Sequence, residues 1–379
     1  MIDSVLPFFL ANAVLFYGLA YVPPTSKNRI LLFLLIIPCC LIAVRSRTSS
    51  YVPGGVGREY IIGFILHSNH WLNLAKLEPP SNKAPSVKRQ WALNQVIGAR
   101  WGVAWAPAFR QKDPGYVPSR MELILIRLWD LLWTVAIIWF LRKYPLNTER
   151  IDFLGVPNGF LTRLSDLDER EVIIRVHASL TGYLMQYCSI RACHSLASCI
   201  AMVCGQDPKE WPPLFGSIAD AYTVRGYFAT FWHRLMRKAF TSHAIWLCDK
   251  LRLPKNSQIT RSIIIAMTFM ISAVMHMLAS PRRERCSVWP QVRYYTSIIL
   301  AIFLEDVIIN AIKWVRKSRR TTKKPQMNED KGVAQAYPEK KEAKRPHILL
   351  RLLGYAWVTC FHIWAGSMII YGYWTECFA

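Results

Sequence analysis

The sequence predicts an all-α chain, a polytopic membrane bundle of about eight transmembrane helices. Three observations carry this. First, 53% of the 379 residues are hydrophobic and only 19% are charged. Second, the apolar residues gather in long runs at roughly 6–22, 30–44, 61–74, 123–141, 172–204, 260–280, 294–312 and 352–374, several of them near the ~20 residues that cross a bilayer as helix. Third, the runs lack the in–out alternation of a membrane barrel, and a spanning segment that satisfies its own backbone is then a helix.

Taken in order, the first run sits in "MIDSVLPFFLANAVLFYGLAYVPP". It has no basic n-region and carries Asp3, so it reads as a span rather than a signal peptide. The second and third runs are short and suit tilted or re-entrant segments. The fifth is long enough to overrun the membrane. Between the runs lie three long polar stretches. Residues 76–120 are rich in Pro, Trp and basic residues. Residues 205–258 are dense in aromatics. Residues 313–347, "KWVRKSRRTTKKPQMNEDKGVAQAYPEKKEAKRPH", read as a disordered cytosolic loop. No internal repeat of the transporter kind is visible, and one domain over 1–379 is expected.

The net charge is +23. In a soluble chain that would suggest nucleic acid, but here the basic residues lie in loops, and no nucleic-acid partner is expected. The loops after the odd-numbered runs hold 31 of the 47 Lys and Arg, and those after the even-numbered runs hold 12. The positive-inside rule therefore puts the odd loops in the cytosol. The ten cysteines show no paired CxxC spacing, so no metal site is expected and buried free thiols are the plain reading.

Two features point to chemistry. His276 lies inside "ISAVMHMLAS", residues 271–280. An ionisable group in an apolar span is either packed against a neighbouring helix or functional. The second feature is "WPPLFGSIADAYTVRGYFATFWHRLMRKAF", residues 211–240. From Arg225 to Phe240 its mixed aromatic and basic pattern suits one interfacial helix, with His233 turned into a site. Other polar residues in the apolar runs come in helical pairs: Arg127 with Asp130, His67 with His70, Arg191 with His194. These read as packing or as lining.

Together the two features resemble the membrane-bound O-acyltransferase family, in its wax-synthase-like branch. That branch carries approximately W-P-x-x-F-G-x, a gap, and S-L-R-x-F-W-G-x-x-W-H-Q-x-x-R-R. Here Trp211, Pro212, Phe215 and Gly216 match its start. Thr223, Val224 and Arg225 stand for Ser-Leu-Arg, and Tyr227 and Phe228 for Phe-Trp. Ala229 replaces the glycine. Trp232 and His233 match Trp-His, Arg234 replaces the glutamine, and Arg237 and Lys238 fill the basic pair. "SAVMH", ending at His276, is similar to the family's later S-G-x-x-H, although Met277 stands where plant members carry an acid. "GARWGVAW", residues 98–105, is similar to an R-G-x-G-W stretch of fungal members.

The resemblance implies a helical bundle with a reaction tunnel, in the endoplasmic reticulum membrane, with the acyl-CoA site facing the cytosol. It implies an acyltransferase with an acyl-CoA co-substrate, no tightly bound cofactor, and a small-molecule alcohol as acceptor. His276 and His233 are then the catalytic residues. Trp232 and Tyr227 position substrate or the oxyanion, and Arg225, Arg234, Arg237 and Lys238 meet CoA phosphates. The fungal branch suggests acetyl transfer from acetyl-CoA to a terpenoid or meroterpenoid hydroxyl of secondary metabolism. Long-chain wax ester synthesis is the enzymatic alternative, and a non-catalytic transporter or lipid-binding protein the other. One geometric tension follows. If the sixth span begins near Thr260, His276 lies about 25 Å along it at ~1.5 Å per residue, so either the 211–240 segment dips inward or the reacting groups enter a tunnel.

Overall fold

The computed structural model describes residues 2–45, 56–76, 83–96, 109, 113, 115–149, 152, 166–255, 257–279, 289–321 and 347–378. Among these the chain is helical, without an extended strand. Each of the eight apolar runs falls on a helix: α1 (Ile2–Tyr21), α2 (Asn28–Arg45), α3 (Val56–Asn69) with the π-turn His70–Leu74, α5 (Arg120–Lys143), α6 (Glu169–Val203), α9 (Gln258–Ala279), α10 (Trp289–Thr321) and α11 (Ile348–Phe378). The polar stretches add α4 (Pro85–Val96), a single turn α7 (Val224–Gly226) and α8 (Arg237–Lys250). Residues 98–105 and 322–346 lie outside the described residues. The backbone of α10 stays helical to Thr321, so 313–321 extends the seventh apolar run as helix rather than starting a loop. Among these residues is "KWVRKSRRT", without Gly or Pro to stop the helix.

Local signals explain the ends. Ser119 caps α5 by accepting from the Glu122 backbone N–H at 3.3 Å, and Arg142 and Lys143 fill its last turn, where a cation suits the helix dipole. Ser257 accepts from the Thr260 N–H at 3.0 Å and starts α9.

Three helical stretches, Arg120–Lys143, Gln258–Ala279 and Ile348–Ile369, are long and apolar enough to cross a membrane. Their apolar residues largely face outward. On α5, Leu125, Trp129, Leu132 and Trp139 are exposed, while Arg127, Asp130 and Thr134 are buried. A helix apolar outside and polar inside is suited to lipid rather than water. Leu6–Tyr21 and Asn28–Val44 are shorter apolar helices.

Two buried clusters organise the bundle. One joins α1, α2, α3 and α4 through Leu15, Leu19, Ile36, Phe64, Trp71 and Ala92. The other joins α9, α10 and α11 to the 221–231 segment, with Val224, Tyr227, Phe231, Ala273, Tyr294, Ile298 and Phe361. The aromatic segment therefore packs inside the bundle, not along its surface. The cysteines divide: Cys40, Cys188 and Cys248 are buried, but Cys193, Cys204 and Cys360 are exposed. A thiol is apolar enough to sit on an outward helix face.

Candidate active site

The 211–240 segment is built by two anchored arms. In the first, the Arg127 guanidinium donates to the carbonyls of Trp211 (2.9 Å) and Pro212 (3.3 Å). Arg127 is held by Asp130 at 3.4 Å, and Asp130 also accepts from Arg191 of α6 at 2.8 Å. Leu214 and Phe215 then pack on Ile190. Gly216 donates its N–H to the Phe231 carbonyl at 2.9 Å. A Cβ at Gly216 would lie 1.9 Å from the Thr230 carbonyl oxygen, so only glycine allows this approach.

The second arm is held by carboxylates of α10. Glu305 is buried, and its two oxygens accept the N–H groups of Val224 (2.6 Å) and Arg225 (3.0 Å), with the Trp357 indole N–H at 2.8 Å. Thr223 Oγ1 accepts from the Gly226 N–H at 2.8 Å. The chain continues as a π-turn, Tyr227–Phe231, closed by Trp232 N–H to the Tyr227 carbonyl at 2.7 Å. Trp232 is extended (φ −61°, ψ 153°). The single helix expected from Arg225 to Phe240 is thus broken into α7, the π-turn, a bend and α8. The physical reason is competition. The Phe231 carbonyl is taken by Gly216, and Tyr227 and Phe231 are drawn into the core, which outweighs helix propensity. Such π-turns occur often at functional sites.

The bend opens onto a cavity of about 630 Å³ between α6, α8, α9, α10 and α11. Its wall includes His276 from α9 and Trp232 and His233 from the bend, together with Arg225 and Arg237. The bend and the last turn of α9 thus share one wall. His276 stacks on Tyr295 of α10 (5.6 Å between ring centres, 22°). His233 meets the Phe215 ring edge-on at 5.9 Å. Trp232 stacks on Tyr227 at 5.5 Å and meets Tyr183 of α6 edge-on at 6.4 Å.

Three of the expected site residues lie elsewhere. Tyr227 is buried behind Trp232, off the wall. Burial pushes its phenol well above the ordinary range, so it stays protonated. Arg234 is off the wall and donates to the Thr230 carbonyl at 3.1 Å. Lys238 is also off the wall, on α8, which packs against the His70–Leu74 turn. Of the two wall arginines, Arg225 pairs with Asp306 of α10, and Arg237 donates to the Ala229 carbonyl at 2.7 Å. Burial lowers the pKa of Arg234 and of Arg237; an arginine stays cationic nonetheless. Among the described wall residues there is no carboxylate, so the cavity favours a neutral or anionic guest. Among the described residues no three His, Cys, Asp or Glu side chains gather as metal ligands would.

The helical pairs Arg127 and Asp130, His67 and His70, and Arg191 and His194 are all off this wall. The first and third serve the arm, with His194 against the Trp211 ring at 5.7 Å. Sequence reasoning missed Glu305, Asp306, the wall tyrosines Tyr183 and Tyr294, and His362. His362 of α11 is buried, stacks on Tyr183 (4.8 Å, 21°) and meets Tyr227 edge-on at 4.0 Å. Its position within an apolar run was the available signal, the same one that singled out His276.

The comparisons with known proteins fall on this region. Residues 211–295 match the model of the membrane bound O-acyl transferase family. The chain resembles that family. The matched span runs from Trp211 through the bend and His276 to Tyr295 and carries most of the cavity wall just described, the rest coming from α6, α10 and α11. Among similar proteins, Acetyltransferase TRI7 of Fusarium sporotrichioides is 28% identical over 73% of this chain and 60% of its own length. Acetyltransferase aurG of Calcarisporium arbuscula is 24% identical over 78% of this chain and 68% of its own. Acetyltransferase pyr8 of Aspergillus fumigatus is 27% identical over 68% and 67%. The chain thus spans about three fifths to two thirds of the length of these relatives. All three relatives are named acetyltransferases. No solved structure matches.

Proposed function

We propose that this chain is an O-acetyltransferase that moves the acetyl group of acetyl-CoA to a hydroxyl of a terpenoid or meroterpenoid, with His276 as general base. The observation that carries the reading is convergence. His276 and the Trp232–His233 pair are more than forty residues apart in sequence, yet share the wall of one largely apolar cavity of about 630 Å³, within the usual range for a small-molecule site. The relatives are named acetyltransferases, which favours the acetyl donor. The terpenoid acceptor follows the resemblance to the fungal branch, and a rigid polycyclic alcohol suits an apolar, aromatic wall.

The chemistry is as follows. The alcohol is a weak nucleophile and needs a base at the moment of attack. It gives its proton to the His276 imidazole while its oxygen bonds to the thioester carbonyl carbon. The tetrahedral intermediate collapses with loss of the C–S bond, and the CoA thiolate takes the proton back from the imidazolium. His233 and Trp232 orient the thioester. Arg237 and Arg225 stand at the wall where CoA phosphates would pass, with Arg234 and Lys238 behind them. Tyr227 acts by backing Trp232. About eight spans with a tunnel, the endoplasmic reticulum membrane and a cytosolic acyl-CoA entrance complete the reading.

The test uses microsomes of yeast expressing the chain, labelled acetyl-CoA or palmitoyl-CoA, and pooled terpenoid and fatty alcohols. Acetylated terpenoid from wild type, with kcat lowered about 100-fold or more in His276→Ala at matched membrane level, is expected, since a general base contributes ~10²–10⁴. Palmitoyl esters alone would replace acetyl transfer with wax synthesis. Full transfer by His276→Ala would remove the base.

A further inference from the structure

On the cavity wall, the Tyr183 hydroxyl of α6 donates to the Tyr294 hydroxyl of α10 at 2.9 Å. Two hydroxyls carry two protons, and a single bond between them uses one. Among the described residues neither phenol makes another hydrogen bond, so the Tyr294 O–H remains uncommitted beside the cavity. A buried donor without an acceptor is costly, and such a group in a binding cavity is satisfied by its guest.

The pair is held firmly. Gly366 of α11 comes so near that a Cβ there would lie 3.0 Å from Tyr183 Cε2. The His362 ring stacks on Tyr183 at 4.8 Å. Tyr294 meets Tyr295 edge-on at 5.1 Å, and Tyr295 carries the stacked His276. The uncommitted O–H, Trp232 and His276 therefore belong to one aromatic wall. Accepting a hydrogen bond from Tyr183 polarises the Tyr294 hydroxyl and makes it the stronger donor.

We infer that Tyr294 is a further catalytic residue, donating its hydrogen bond to the thioester carbonyl oxygen as that oxygen becomes an oxyanion, with Tyr183 as its positioning residue. The inference rests on the acyl-transfer reading above. No proton is transferred: the phenol keeps its hydrogen throughout, while the acceptor's proton goes to His276 and then to the thiolate. A donor aimed where charge develops stabilises the transition state more than the ground state, so kcat is the parameter it sets.

The experiment is steady-state transfer by wild type, Tyr294→Phe, Tyr183→Phe and the double variant in matched microsomes, varying acetyl-CoA and the accepted alcohol separately. Phenylalanine keeps the ring and removes only the hydroxyl. Tyr294→Phe is expected to lower kcat by about 100-fold, as loss of one oxyanion donor does, with both KM values within about two-fold. Tyr183→Phe should lower kcat several-fold, and the double variant should match Tyr294→Phe rather than multiply the two effects. If Tyr294→Phe proves unstable in the membrane, the kcat of Tyr183→Phe alone decides. A kcat within two-fold of wild type would overturn the inference and leave acyl transfer standing, as would a rise only in the KM of the alcohol. No acyl transfer by wild type with any donor and acceptor would overturn both.

Discussion

The two arms of the 211–240 segment are anchored by opposite charges. The Trp211–Gly216 arm is held by a cation: Arg127 donates to backbone carbonyls and is itself fixed by Asp130, which also accepts from Arg191. The Thr223–Phe228 arm is held by an anion, since Glu305 accepts backbone N–H groups at the start of α7. The first anchor is a triad, Arg127 and Asp130 buried and Arg191 partly so, whose one carboxylate serves two guanidinium groups. The second is a single carboxylate serving three neutral donors. Removing the shared anion leaves two cations side by side, with Arg127 buried, whereas weakening the second anchor leaves only neutral groups short of a partner. The difference teaches which anchor is brittle.

Asp130→Ala tests the brittle side and has the largest expected effect. Breaking a buried pair by deleting one partner costs about 3–5 kcal/mol, read as a fall in melting temperature after detergent extraction. Hydrogen exchange should rise in 211–216 while 223–228 stays protected. Equal exposure of both arms would show them to be one unit and dissolve the contrast. Glu305→Gln comes next. The amide still accepts with one oxygen but turns an NH2 toward donors, for a loss of about 1–3 kcal/mol, with exchange rising first at Val224 and Arg225. Arg225→Ala is the smallest. Its pair with Asp306 is partly exposed, the side chains at 40% and 28%, and such pairs contribute about 0–1 kcal/mol. A stability loss matching that of Glu305→Gln would mean the side chain, not the backbone, holds this arm.

The helices were legible because a bilayer asks for long apolar runs, and these are visible in composition alone. His276 and the Trp232–His233 pair were legible because imidazoles are rare in such surroundings and the flanking residues resemble a known pattern. The depth of the aromatic segment was not. Arg225, Arg234, Arg237 and Lys238 are mixed with Tyr227, Phe228 and Trp232 as they would be on an interfacial helix, and that helix is broken by tertiary contacts, Gly216 on the Phe231 carbonyl and the burial of Tyr227 and Phe231. Glu305 and Asp306 sit near the middle of the 294–312 run, where a carboxylate is costly and is ordinarily paired within the bundle. The sequence does not tell that the partners of Glu305 are backbone N–H groups some eighty residues earlier. Tyr183 and Tyr294 are spaced like packing residues, and their pairing exists only across two helices 111 residues apart.

The π-turn at Tyr227–Phe231 also carries a consequence for the length of the chain. Relative to an α-helix it holds one additional residue within its turn, and each residue of an α-helix advances the chain by about 100° around the axis. Deleting one residue among 228–230 would let the segment close with ordinary pitch. Everything downstream would then swing by about 100°, carrying the indole and imidazole of Trp232 and His233 away from the face shared with His276. The stretch can absorb a change of side chain far more readily than a change of count, so a frame of this kind evolves by substitution and is punished by insertion or deletion.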